Sequence, residues 1–312
     1  MAFGSAGGYG NLPSGNFTPQ IFSQKVQKFF RRASVVEDIT NTDYAGEIEN
    51  FGDTVKIIKE PTITVQDYAR GTAVSTQDLA DDQITLVVDQ GSYFAFKVDD
   101  IEERQSHVNF EALATSSGAY SLKKNYDFNV LKYIYDNAST SAGNTGTDAS
   151  PVTGTTNSNT LADIVSAAKS VLDQNDVPEE NRWLVAAPKF FQQLRKADAK
   201  LVDQSVMMDG GVSAIRNGKM TDRPLFGFNM YMSNAIVNGS TGSAANKTFS
   251  STNTGEYIFL YGHMSSVATA NHIAKTELIR DPDSFADIVR GLHVFGRKVL
   301  RTEAVYSGVV TL

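Results

Sequence analysis

The sequence predicts an α+β fold, and three features carry that prediction. Apolar residues alternate on both sides of a polar segment between residues 46 and 98. A proline-free stretch of helical periodicity follows, and beyond it short apolar runs interleave with helical stripes.

A chain of 312 residues is long enough to bury a core without staples. Apolar residues make up 41% and charged residues 20%, the balance of a folded rather than a disordered chain. The net charge of −7 argues against a protein whose main task is gripping phosphates, because that affinity comes from Lys and Arg. With no cysteine, the chain has no disulfide, thiolate nucleophile or Cys-ligated metal. Residues 1–15 read as a flexible, glycine-rich arm, with neither the basic start nor the apolar run of a signal peptide. No window reaches the roughly 18 apolar residues of a membrane span.

Phe17 to Arg32 is expected as a short helix, with Pro19 in the first turn and Ile21, Phe22, Val26, Phe29 and Phe30 near one face. In GDTVKIIKEPTITVQDY the alternation falls at Val55 and Ile57, then at Ile63 and Val65. In QITLVVDQGSYFAFKV it falls at Ile84, Leu86 and Val88, then at Phe94, Phe96 and Val98. These read as two long strands joined by a broad polar tip, Gln66 to Asp82. A dozen residues of strand reach roughly 40 Å at about 3.3 Å each. An isolated hairpin of that length is marginal in water, so it lies on its own domain or on a neighbour.

Two acidic pairs, Asp99-Asp100 and Glu102-Glu103, follow this hairpin. Asp100 with Glu103 has capping-box spacing, and carboxylates in a first turn complement the helix dipole. No further acidic partners or glycine turn accompany them, so they read as a helix cap rather than a divalent-ion site. Ile101 to Asn137 then carries Val108, Phe110, Leu113, Tyr120, Phe128, Leu131 and Ile134 without a proline. As one helix it would run roughly 55 Å at about 1.5 Å per residue, with Ser116-Ser117-Gly118 as the expected bend.

Ala138 to Thr160 and Val237 to Glu256 are low-complexity segments, read as surface insertions. Their Asn-x-Ser/Thr triplets at Asn137, Asn238 and Asn246 are of a kind that this composition produces by chance. Between them, Leu161, Ile164, Val165, Ala168, Val171 and Leu172 form a helical stripe behind a Thr160/Asp163 cap. Trp183 to Ala187 reads as a buried strand stopped by Pro188, and Lys189 to Ala197 as a helix. PLFGFNMYMSNAI and EYIFLYG read as strands flanking the second insertion. SFADIVRG is expected as a short helix, and LHVFGRKVLRTEAVYSGVV as a strand pair or bent strand.

No catalytic constellation stands out. His107, His263, His272 and His293 lack metal-ligand spacing, and no P-loop, Gly-x-Gly-x-x-Gly or Gly-x-Ser-x-Gly pattern occurs. Gly210-Gly211 reads as a hinge and IRNGKM as a turn, with Arg216, Lys219 and Arg223 as solvated cations.

GDTVKI, VVDQGSYFAFKVDDIE, IRNGKMTDRPLFGFNMYMSN and FADIVRGLHVFGRKVLRTEAV, in this order, resemble the major capsid proteins of tailed bacteriophages. The resemblance covers nearly the whole chain and is weakest in the two Ser/Thr/Gly insertions. It implies a Hong Kong 97-like capsid fold. Residues 1–45 would then be an N-terminal arm with a short helix, 46–98 an extended β-hairpin loop, and 99–160 a peripheral domain with a spine helix. Residues 161–264 would be an axial domain, and 265–312 strands returning to the peripheral domain. The implied function is self-assembly, as hexamers and pentamers, into an icosahedral shell enclosing double-stranded DNA without sequence-specific binding.

Scaffolding and portal proteins are the further partners it implies, in a virion assembled in host cytoplasm. No enzyme activity, catalytic residue, cofactor, metal or membrane is implied. Some members cross-link neighbouring loops through a Lys and an Asn. Lys56 and Lys59 match that chemistry only by location, so it is not carried over. Two other readings stay open: an encapsulin-type protein compartment, and a soluble hydrolase whose site escapes motif recognition.

Overall fold

The computed structural model describes residues 34–44, 54–61, 63–71, 73–74, 76–78, 83–99, 110–140, 145–147, 150–153, 161–197, 225–236, 238–239, 255–282 and 284–312. The expected helix at Phe17 to Arg32, the acidic pair at Glu102-Glu103 and the basic loop at 215–223 lie outside these residues.

Two sheets share one helix. The smaller sheet has the order β10-β11-β3, from β10 (Val267–Arg280), β11 (Ala286–Val299) and β3 (Gln90–Asp99), all antiparallel. The larger has the path β4-β12-β9-β6-β7: β4 (Ser139–Thr140), β12 (Val305–Thr311), β9 (Glu256–His263), β6 (Arg182–Ala186) and β7 (Asn229–Met232). Off this path, β5 (Val152–Thr153) pairs with β12 and β8 (Asn238–Gly239) with β9.

Helix α2 (Phe110–Asn137) spans both sheets. Its second half buries Tyr126, Val130, Leu131 and Ile134, spaced to share one face, in the main core. There they meet α3 (Leu161–Gln174), α4 (Pro188–Ala197) and the larger sheet. Phe190 of α4 packs on Phe259 of β9 at 5.4 Å, and Tyr126 meets Phe295 of β11 edge-on at 4.9 Å. Strand β6 is buried at every position, as expected of a strand covered on both faces. Its first residue, Arg182, lies inside: it donates to the carbonyls of Pro178 and Val177 and, at 2.6 Å, to Asp173 at the end of α3.

The first half of α2 rests on the small sheet through one ring. Phe94 of β3 faces Gly118 of α2 and lies opposite Gly291 of β11. A Cβ on Gly118 would come within 2.9 Å of that ring, and one on Gly291 within 2.3 Å. Both glycines are there for close approach. The helix runs unbroken through Ser116-Ser117-Gly118, so the glycine expected to mark a bend instead seats the helix.

Four expectations are corrected. The second long strand is two strands: β2 (Gln83–Val87) pairs with β1 (Thr54–Ile58), while β3 leaves to pair with β11. The β1–β2 ladder holds five residue pairs, Thr54↔Val87 to Ile58↔Gln83, and Ile63 and Val65 lie beyond it and outside any strand. Pro61, with no N–H, cannot extend the ladder. SFADIVRG is not helical, because Ala286 to Gly291 pairs with β10 on one side and β3 on the other. Those ladders outweigh a local apolar spacing that fits a helix.

The segment 138–160 is not wholly a surface insertion, since β4 and β5 join β12 in parallel and Thr145 is buried. Residues 265–312 serve both sheets: β10 and β11 form the small one, and β12 lies inside the larger one.

The hairpin base β1–β2 has its own small core, in which Val55, Leu86 and Val88 pack with Ala268, Ala270 and Val294. At the foot of β10, Asn41 bridges to Ala268, and Thr40 shares a hydrogen bond with Thr269 at 2.8 Å. Short helix α1 (Val36–Ile39) lies just before them.

Replacing Gly291 with Ala should destabilise the dissociated subunit by about 1–3 kcal/mol, the usual cost of overpacking a filled site. Adding Phe94→Leu in the same chain should recover part of it, as read from denaturant midpoints.

Candidate interaction surface

Among the described residues no group of three or more His, Asp or Glu side chains is placed to hold a metal. His263 ends β9, where its Nδ1 contacts the Ser265 hydroxyl at 2.8 Å and accepts from the Ser265 N–H. His293 lies in the other sheet, on β11. Burial lowers the pKa of both. Asp99 is the last residue of β3; its acidic neighbours, including the Asp100 cap, lie outside the described residues. Lys56 and Lys59 are exposed on and just beyond β1.

What the geometry offers instead is uncovered surface. Beyond the five-pair hairpin base, the described residues between 59 and 78 are all exposed and belong to no strand. They form a tongue that turns at Arg70-Gly71, where Gly71 has φ +95°. The Thr64 N–H donates to the Gln77 side chain at 3.0 Å, tying the two limbs together. Ile58, Ile63, Val65, Tyr68 and Val74 stand along it at 69–92% exposure. Burying one such side chain is worth about 1.5–3 kcal/mol, so five left in water mark a surface with a partner.

A second exposed surface is the face of the small sheet turned away from α2. Period-2 alternation puts Phe94, Phe96 and Val98 of β3 toward the helix and Tyr93, Ala95 and Lys97 outward. The register sets Tyr93 beside Leu292 and Ala95 beside Arg290, and Leu292 and Arg290 beside Lys275 and Glu277 of β10. The result is an apolar groove with an ion-pair centre. Arg290 donates twice to Glu277, at 2.9 and 2.6 Å, and Lys275 pairs with it at 2.5 Å. Lys275 and Arg290 hold the Glu277 carboxyl below the usual carboxylate range.

At the far end of the β10–β11 hairpin, Phe285 is 81% exposed on a turn braced by Asp281. That carboxylate pairs with Lys97 and accepts from the Ser284 hydroxyl at 2.6 Å.

The sequence placed a polar tip at Gln66 to Asp82 but read Ile63 and Val65 as strand, which they are not. It gave no sign of the groove, whose residues come from the β10–β11 hairpin and from β3, far earlier in the chain.

Comparison with known proteins follows the same lines. A family model described as "phage capsid protein" matches residues 59–308. Among solved structures, one titled Mycobacterium phage Che8 is similar with a TM-score of 0.76 and 26% identity, over 95% of this chain and 97% of that one. The capsid of cyanophage P-SCSP1u is similar with a TM-score of 0.69 and 19% identity, over 95% and 93%. The mature capsid of bacteriophage PhiM1 gives 0.64 and 16%, over 94% and 91%. No curated protein matches.

Because Val65 is 92% exposed, Val65→Asp should leave the stability of the isolated subunit within about 0.5 kcal/mol, the usual range for surface changes. Urea melts of the two proteins should superimpose.

Proposed function

The chain belongs to the phage capsid protein family and is a major capsid protein, and from that premise we propose how it closes a shell. Copies gather as hexamers and pentamers around double-stranded DNA, and the tongue at 59–78 of each copy lies on its neighbour. The observation that carries this reading is the tongue itself: a five-pair base anchored in its own core, followed by exposed apolar residues that the same chain leaves uncovered.

Each tongue side chain buried between copies contributes about 1.5–3 kcal/mol, and repetition around a closed shell makes the contacts cooperative. The formal charge of −7 per copy suits a container for DNA. Phosphates are repelled by an acidic wall, so the packaged polymer is confined without being gripped. Scaffolding and portal proteins complete the assembly, in the cytoplasm of the host cell.

Replacing residues 63–78 with Gly-Asn-Gly removes the tongue and leaves β1, β2 and α2 in place. The variant should keep the wild-type circular dichroism spectrum and a cooperative melt, yet form no closed particles by light scattering and negative-stain microscopy. Normal particles would show that the tongue is not the joining element. A chain that no longer folds would place the tongue in the subunit's own core.

A further inference from the structure

His293 lies outside the tongue at 59–78. The imidazole lies on the α2 side of β11, stacked on Phe295 at 5.3 Å and edge-on to Tyr126 of α2 at 5.4 Å. Its Nδ1 is buried without a hydrogen-bond partner. Beside it a cleft of about 210 Å³ separates α2 from β10 and β11. Among the described residues, the titratable groups lining that cleft are Lys123 and Tyr126 from α2, Glu37 from α1 and Lys275 from β10, whose ammonium is turned to Glu277 on the far face of the sheet. From β3, the register partner of His293 is the uncharged Ser92, which accepts from Asn125 of α2 at 2.8 Å.

We propose that His293 makes the seating of α2 on the small sheet sensitive to pH, with the neutral ring holding the cleft closed and the protonated ring opening it. A proton on this ring adds a cation to a cleft that already holds Lys123. Among the described residues, the cleft's one carboxylate is Glu37, paired with Lys123 at 3.4 Å. An imidazolium there gives up its hydration and finds no acceptor at Nδ1, so it gains by opening toward water.

Burial lowers the pKa of His293 in the closed form. The closed form therefore binds fewer protons than the open one, and its advantage is complete above the ordinary histidine value of about 6.5. Below that value the closed-to-open ratio falls by up to about tenfold per pH unit, until the lowered pKa is reached. The device is internal to one chain, so it stands apart from the question of shell closure.

Hydrogen exchange on the full-length chain between pH 7.5 and 5.5, corrected for intrinsic rates, tests it. Peptides covering residues 114–126 should lose protection on acidification, by up to about tenfold per unit below pH 6.5. His293→Phe keeps the aromatic stack and His293→Gln keeps a polar side chain without titration, and either should flatten the response in those peptides. His263, whose pKa burial also lowers, lies on the other sheet and reports in different peptides. A wild-type chain with no excess pH response in 114–126, or a folded variant that keeps the wild-type slope, would overturn the proposal.

Discussion

The ring of Phe94 between Gly118 and Gly291 is the contact on which the architecture turns. Helix α2 is shared: its second half belongs to the main core, and its first half reaches the small sheet. Phe94 adds to the other links between the small sheet and the rest, among them the edge-on Tyr126–Phe295 contact and the Arg297 guanidinium on the Asn129 carbonyl. Two side chains as small as hydrogen make the difference, because interiors packed to crystal density leave no slack for a methyl group. Since β11 pairs with β10 on one side and β3 on the other, fixing Gly291 also fixes the register of both ladders.

That seating decides what remains exposed. Once Phe94, Phe96 and Val98 face the helix, Tyr93 and Ala95 must face outward, and the cross-strand neighbours Leu292 and Arg290 go with them. The hairpin base sits in its own small core on β10 and β11, so it projects the tongue from a fixed platform. A platform that is already ordered loses little conformational entropy when it meets a partner. On the proposed reading, this lets a short ladder and an uncovered apolar segment join copies of the chain.

Several elements were legible in the residues. Trp183 to Ala187, an apolar run closed by Pro188, read as a buried strand where β6 lies, and the spacing from Leu161 to Leu172 read as one face of a helix where α3 lies. The candidate surface was legible in part: alternation marked 63–65 as extended and apolar, without saying whether it had a partner strand.

What the sequence determined by itself was the kind of each element and the periodicity that gives it a buried face. What only the tertiary structure decided was pairing. SFADIVRG suits a helix by spacing and becomes a strand because β10 and β3 flank it, and QITLVVDQGSYFAFKV is one run in sequence but serves two sheets. Thr145 is buried although its segment reads as polar loop, because β4 and β5 on either side of it add to β12. The physical reason is common to all three. Periodicity is set by neighbours along the chain, whereas a ladder's hydrogen bonds are made with the backbone of another strand, and no local pattern names that partner.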